Sequence, residues 1–334
     1  MKLLIGGSPC THWSIAQTKN RETEASGIGW ELFLNYRIAR DKYKPDFFLY
    51  ENNKSMSPAI RAQITAELGV EPVLINSALV SAQNRQRLYW VGRRNPDGTY
   101  SRVAVEQPVD RGIRMSEIID FDATDTNLID FVRFSDKQCT EFKNEPVRIG
   151  IIGHGGQGER VYSLTGKSVT VSACGGGRGA KGGLYLIGDC VRKLLVRELA
   201  RLQTIPDTYS FECISEAQAK KCIGNGWTVD VIAHIMSHFT GLTKEPVEVL
   251  SMYDGMSCGH IALDKLGVNV TAYYATEIDK YAIQTTQHNY PDTVQLGDAF
   301  QVRDNNWGGL RNERLGADRN RAAESGIGYE PAAF

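Results

Sequence analysis

The sequence predicts an α/β protein built on a Rossmann-like, mostly parallel sheet with helices on both faces, joined to a smaller, irregular region. Three observations carry this. Short apolar runs bounded by turn residues alternate with runs of helical spacing at both ends of the chain. Several of these apolar runs close in a glycine or a carboxylate, as strands do at the carboxyl edge of such a sheet. Between the two series, 12 of the 34 residues from 150 to 183 are glycine, a stretch that cannot hold long helices.

The elements follow in order. KLLIGG reads as a short apolar strand. Residues 27–43 read as a helix, with Leu32, Phe33, Tyr36 and Ala39 at helical spacing. Pro45 punctuates, and FFLYE is a buried-type strand ending in a carboxylate. Ser57 and Pro58 suit the N-cap and first turn of a helix over AIRAQITAEL. PVLINSALV and RLYWVGR read as strands. After the glycine-rich middle, helical spacing returns around Val191–Gln203, and CIGNGWTVDVIAHIMSHF reads as a loop entering an apolar helix. A linker with Pro246 leads to a second series. In it EVLSMYDG is a strand and turn, GHIALDKLG a helix, VTAYYATEID a strand ending in acids, DKYAIQTTQHNY a helix, and TVQLGD a strand ending in an acid. The mixed-charge tail after Trp307 is expected to be poorly ordered.

Composition narrows the class. The chain has 334 residues, 42% of them hydrophobic, enough for one large domain and a smaller one. No apolar run reaches the roughly 18–20 residues of a membrane-spanning helix, and MKLLIGGSPC is too short an apolar stretch for a secretory leader. The seven cysteines are odd in number, scattered and without a CxxC pair, which argues against a disulfide framework or a zinc knuckle and for a reducing cytoplasm. Net charge is only −1, yet it is unevenly spread. Residues 85–115 carry seven Arg against three acids, residues 143–201 ten basic against four acidic side chains, and residues 248–300 seven acids against two Lys. A basic middle suits a polyanion and an acidic end a cationic or hydroxyl-rich ligand.

Three constellations carry chemistry. In DGMSCG, Asp254, Gly255 and Gly259 form a glycine turn between strand and helix, where a ligand can approach the backbone closely. Glu277 follows about 20 residues on, the spacing at which ribose hydroxyls are bound, and Asp298 ends the next strand. The turn DGMSCG is not a GxGxxG, so the pattern reads as a nucleoside site rather than a dinucleotide site. Cys10 lies just past the first strand, where helix N-terminal amides favour a thiolate, and Glu51 ends the next strand in the same way. In Gln83-Asn84-Arg85-Gln86-Arg87, two arginines at i and i+2 share a face and suit a phosphate or a carbonyl oxygen.

Together these segments resemble the DNA cytosine-5 methyltransferases, in circularly permuted order. GGSPC is similar to the family's Pro-Cys loop, Glu51-Asn52 to its Glu-Asn motif, and Gln83, Arg85 and Arg87 to its Gln-x-Arg-x-Arg motif. Arg201-Leu202-Gln203 through Pro206 and Gly224-Asn225-Gly226 are similar to its late motifs. The cofactor motifs that normally open the family's chains here close the chain, as DGMSCG, ATEID and Gly297-Asp298. The likeness covers roughly residues 1–300, and it lies in the cyclic order of the motifs. Thr11 stands where many bacterial members have glutamine and Asn53 where valine is usual; the GGSPC form is closer to phage and animal de novo enzymes.

The resemblance implies methyl transfer from S-adenosylmethionine (AdoMet), without a metal, to C5 of a cytosine flipped out of double-stranded DNA. Cys10 would attack C6, Glu51 contact N3 and the exocyclic amine, and Arg87 bind O2. Arg85 and Ser14 would steady the Cys loop and target phosphate, with Asn52 and Gln83 also substrate-binding. Asp254, Gly255, Gly259, Glu277, Ile278, Asp298, Asn225 and Gly226 would form the AdoMet site, Glu277 taking the ribose, Asp298 the adenine amine and Asn225 the methionine end. The implied organisation is a catalytic half at 1–94, a target-recognition region at 95–200, a return to the catalytic domain at 201–245, an AdoMet-binding half at 246–300 and a tail at 301–334. The implied setting is the cytoplasm of a bacterial or phage-infected cell, protective modification of DNA, and a cognate restriction endonuclease as partner. Alternatives are the same chemistry on tRNA and a non-catalytic DNA-binding homologue.

Overall fold

The computed structural model describes residues 1–14, 21–123, 128–129, 131–135, 141–174 and 177–304. The chain opens with β1 (Lys2–Gly6), a 3-10 turn at Cys10–His12, α1 (Gly27–Tyr43), β2 (Phe47–Asn53), α2 (Pro58–Leu68) and β3 (Val73–Asn76). It continues through β4 (Gln86–Arg94), β5 (Tyr100–Arg102), β6 (Arg133–Phe134), β7 (Arg148–Ile151), β8 (Arg160–Tyr162), β9 (Leu184–Ile187) and β10 (Cys190–Lys193). Then come α3 (Val196–Leu202), α4 (Glu216–Asn225) and α5 (Val229–Met236). The last described elements are β11 (Val247–Met252), α6 (Cys258–Lys265), β12 (Val270–Thr276), α7 (Lys280–Asn289), β13 (Val294–Gly297) and α8 (Ala299–Asp304).

The central sheet has the order β13-β12-β11-β1-β2-β4-β3, with β5 added on β4. The five strands from β13 to β2 are parallel. Parallel strands are buried on both faces, which is why β1 reads as a continuous apolar run. Its side chains alternate between two cores. Leu3 and Ile5 join Leu49, Val249, Ile232 and Ile261 on one face, with α5 and α6 packed there. Leu4 joins Phe48, Tyr50, Leu250 and the aromatic stripe Phe33 and Tyr36 of α1 on the other. Each fully buried aliphatic side chain adds about 1.5–3 kcal/mol of burial free energy before entropy is counted. At α2, the hydroxyl of Ser57 accepts the Ile60 amide at 3.2 Å with Pro58 in the first turn, as its sequence predicts.

Several local expectations differ from what forms. The sheet is less parallel than its apolar runs suggest, because β4 runs antiparallel to both β2 and β3. Only residues 77–85 join β3 to β4, too short for the crossover a parallel return needs. The run PVLINSALV is a strand only to Asn76, whose Oδ1 accepts the amides of Ala78 and Arg85 at 3.1 Å each and turns the chain into a 3-10 helix. CIGNG is the last turn of α4 rather than a loop, with Gln203 Nε2 donating to the carbonyls of Ile223 at 2.9 Å and Gly226 at 3.1 Å.

The glycine-rich middle forms a second, smaller sheet of order β10-β9-β8-β7-β6 over its own small core of Ile149, Val161, Leu184 and Val191. Val191–Lys193 is strand rather than helix, and the helix starts at Val196. The central sheet extends beyond residue 94, since β5 at Tyr100–Arg102 still pairs with β4. The tail after Trp307 lies outside the described residues.

Candidate active site

The carboxyl ends of β11, β12 and β13 and the last turn of α4 border one edge of the sheet. After β11 the backbone makes a tight turn with positive φ at Tyr253, Gly255 and Ser257. Gly255 sits at φ 60° and a side chain there would meet open space, so the turn offers a bare backbone to a ligand. Glu277 closes over the turn: Oε2 accepts the Gly255 amide at 2.8 Å, and Oε1 accepts the amides of Ile278 at 2.7 Å and Asp279 at 2.8 Å. Next to it the Ile278 side chain is 75% exposed, an apolar platform beside a fixed carboxylate. Asp298 Oδ1 accepts the Phe300 amide at 2.9 Å at the start of α8. Asn225 is exposed at the end of α4, and Lys221 pairs with Asp279 at 2.7 Å, which ties α4 to this edge. Gly259 has a packing place: a side chain there would collide with Ile5 Cδ1, so its absence lets α6 lie close on the sheet. A bare glycine turn, a fixed carboxylate, an exposed apolar side chain and an amide suit a nucleoside bearing a cationic amino acid end.

Asp254 anchors the turn from inside. It accepts the Tyr273 hydroxyl at 2.7 Å and the Ser257 hydroxyl. Burial pushes its carboxyl up to about 6, opposed by these hydrogen bonds. The Cys222 and Cys258 thiols nearby are likewise pushed up by burial to about 12, which makes them inert packing groups.

The ends of β1 and β2 form the other half of the edge. Gly6 pairs with Tyr50 of β2, and Cys10 opens the 3-10 turn that follows β1. A Cβ on Gly7 would lie 2.9 Å from both the Glu51 carbonyl oxygen and Glu51 Oε2, so only glycine lets this loop rest on Glu51. Asn52 is buried and holds the same loop, donating from Nδ2 to the Ser8 carbonyl at 3.1 Å and the Tyr50 hydroxyl at 3.1 Å. The Tyr50 hydroxyl in turn lies 2.6 Å from Ser8 Oγ. Asn52 thus grips the connection to Cys10 rather than the open edge. Ser14, half-buried, ends the described part of this loop.

Glu51 is held on both oxygens. Arg87 Nε lies 3.1 Å from Oε1, and Trp227 Nε1 donates to Oε2 at 3.0 Å. Asn53 pairs with Arg87 across the β2–β4 ladder, which places Arg87 diagonally beside Glu51 on the same face. The antiparallel run of β4 brings its first residues to the edge where parallel strands bring their last. Arg85 and Gln83 stand deeper. Arg85 is buried and donates to the carbonyls of Val171 at 2.8 Å and Gly226 at 2.9 Å. Gln83 is fully buried, donating to Leu202 O at 3.0 Å and Gln203 Oε1 at 3.1 Å and accepting the Val171 amide at 2.8 Å. The structure therefore brings the loop that carries Cys10, with Glu51 and Arg87, to one lip, Asn52 buried behind it, and the residues expected to hold the cofactor to the neighbouring one. Arg85 and Gln83 sit behind, knitting β4 to the returning chain. Sequence reasoning missed Trp227 and Gln203, although both lie within or directly beside motifs it used.

The strand order is that of the mixed α/β methyltransferase fold. The solved structure of the Entamoeba histolytica methyltransferase EhMeth has the same fold at a TM-score of 0.50, with 13% identity over 73% of this chain and 78% of that one. The family described as C-5 cytosine-specific DNA methylase matches residues 1–240, and the chain belongs to that family. It is 29% identical over 248 residues to the type II methyltransferase M.HhaI of Haemophilus parahaemolyticus, covering 70% of this chain and 74% of that protein. It is 26% identical over 261 residues to the type II methyltransferase M.HpaII of Haemophilus parainfluenzae, covering 69% of each. Among the described residues no helix is long and apolar enough to cross a membrane.

Proposed function

We propose that this protein transfers a methyl group from AdoMet to C5 of a cytosine flipped out of duplex DNA. The observation that carries the reading is the lip where Asn52 clamps the Cys10 loop against a Glu51 held by Arg87, within a chain of the cytosine-specific family. Cytosine C5 is a weak nucleophile. Attack of the Cys10 thiolate on C6 makes the ring an enamine, and the Cys–C6 bond breaks again when the C5 proton leaves. Glu51 binds N3 and the exocyclic amine and steadies the charge that moves into the ring. Arg87 sits where it can reach O2. AdoMet supplies the electrophilic methyl. Glu277 with Ile278 would hold its nucleoside, Asp298 the adenine amine, and Asn225 with Gly226 its amino acid end.

The exposed Arg133, Lys143, Arg148 and Lys193 on and around the small sheet suit phosphate contacts, so residues 95–200 are proposed as the target-recognition region. The sheet order supports the rotated motif order: β1, which carries the Cys10 loop, lies beside β11, which carries the glycine turn. A protective role, with a cognate restriction endonuclease, is the setting we assign by analogy with the type II relatives.

The test is bisulfite sequencing of plasmid DNA from cells expressing the protein, alongside tritium transfer from labelled AdoMet. Methylated cytosines in a fixed sequence context are expected, and Cys10→Ser should lower transfer by roughly a thousandfold or more. Label entering tRNA in preference to duplex DNA would overturn the substrate, and full activity of the serine variant would overturn the nucleophile.

A further inference from the structure

We propose that Trp227 is a positioning residue for Glu51, fixing the plane of its carboxylate through the indole N–H. The inference rests on the reading of Glu51 as the group that meets the base. A glutamate side chain rotates readily about its last bond. The Arg87 ion pair meets the carboxylate at Oε1, 3.1 Å from Nε, and a single point of contact lets a carboxylate swing about it. Trp227 Nε1 supplies the second tether, at 3.0 Å on Oε2, from a segment 176 residues away. With both oxygens held, one edge of the carboxylate keeps a constant direction toward the cleft. The indole N–H is a donor only, so it supports the charged form and can take no proton from it.

The backbone around Trp227 is fixed on both sides. The Gly226 carbonyl accepts from Arg85 Nη2 at 2.9 Å and from Gln203 Nε2 at 3.1 Å. The Thr228 hydroxyl donates to Gln203 Oε1 at 2.8 Å and accepts from Ser77 Oγ at 2.8 Å. Gln83 holds Gln203 in turn, donating to the same Oε1 at 3.1 Å. Gln83 and Arg85 therefore act at a distance: they lock the residues that aim the indole. Gly226 adjoins the proposed amino acid end of AdoMet, so one residue step separates the cofactor lip from the tether on Glu51.

Two variants test this. Trp227→Phe keeps a ring and removes the donor; benzothienylalanine at 227 replaces N–H by sulfur with almost no change of shape. Both are expected to lower kcat on duplex DNA about tenfold, the loss of one hydrogen bond to a charged group, while Kd for AdoMet and for DNA stays within about twofold. In a Glu51→Gln background, Trp227→Phe should cost less than about twofold further, because the group it orients is already altered. A benzothienylalanine protein that turns over within about twofold of the native rate would overturn the proposal, as would losses that multiply in the double variant. Absence of methyl transfer by the native protein would instead strike down the reading of the site on which the proposal stands.

Discussion

A carboxylate at the lip of a sheet ordinarily points into water, but Glu51 spends both oxygens on Arg87 and Trp227 and has the Gly7 backbone against it. Gly7→Ala is therefore expected to push the Cys10 loop off Glu51: overpacking of this kind costs about 1–3 kcal/mol, and methyl transfer should fall further than AdoMet binding does. Steady-state kinetics set beside an AdoMet titration check it. Asp254 makes a prediction in pH. Its carboxyl is pushed up to about 6 when folded, so the native state takes a proton before the unfolded chain does. Lowering pH from 7 to 5 should then raise the stability of the native protein relative to Asp254→Asn, whatever the constant offset between them. Denaturant titrations of the two proteins at both pH values measure the sign. The pairing of Glu51 with Arg87 was legible because each sits in a short motif with a chemical reason for its residue types, whereas Asn52, expected to bind substrate, instead grips the Cys10 loop. Trp227 was not, because an indole in an apolar segment signals core, and its partner is distant in sequence.

Among the elements, α1, α2, α6, α7 and the parallel strands were legible from spacing, caps and apolar runs, whereas α4 and the start of α3 were not; α1 spans the residues its spacing predicts. The reversal of β4 was not, since a buried strand looks equally apolar in either direction, and only the short link from β3 decides it. The ending of β3 was hidden for another reason: the Asn76 side chain competes with the ladder, a choice made by one amide rather than by a pattern. Arg85 shows how an element can be held by one side chain, since its fork joins β4 to carbonyls of two other segments. A lysine has a single ammonium and cannot span both. Arg85→Lys should destabilise the fold by about 2 kcal/mol with an unchanged denaturant slope. It should also reduce kcat, since Gly226 precedes Trp227.

For the whole molecule, the sheet carries the motifs proposed for the cofactor on β11 to β13 and those proposed to hold the base on β1, β2 and β4, meeting where β11 pairs with β1. The Met1 amino group donates to the Pro246 carbonyl at 2.8 Å, so the start of β1 and the link before β11 touch. If the motif order is a rotation, the chain tolerates another opening point. A protein re-ordered to begin at Lys244 and finish at Thr243, with residues 305–334 as the linker to Met1, should fold and bind AdoMet within about threefold of the native affinity, read by calorimetry. Loss of the fold in that protein would count against the rotated order. The two-sheet division was partly legible: glycine content announced the irregular region, but its five short strands lack the periodicity that would have marked them.

β4 runs counter to its neighbours, and this bears on what the cleft can accept. Glu51 and Arg87 stand in paired ladders, so the wall they build cannot give way. Cys10 and Gly255 ride on connections, which can. A guest is then gauged against a stiff ruler along its hydrogen-bonding edge and approached by pliant jaws elsewhere. Under the proposed assignment, a duplex carrying N4-methylcytosine at the target would be refused at the ruler, and 5-fluorocytosine at the same place would be gripped and retained.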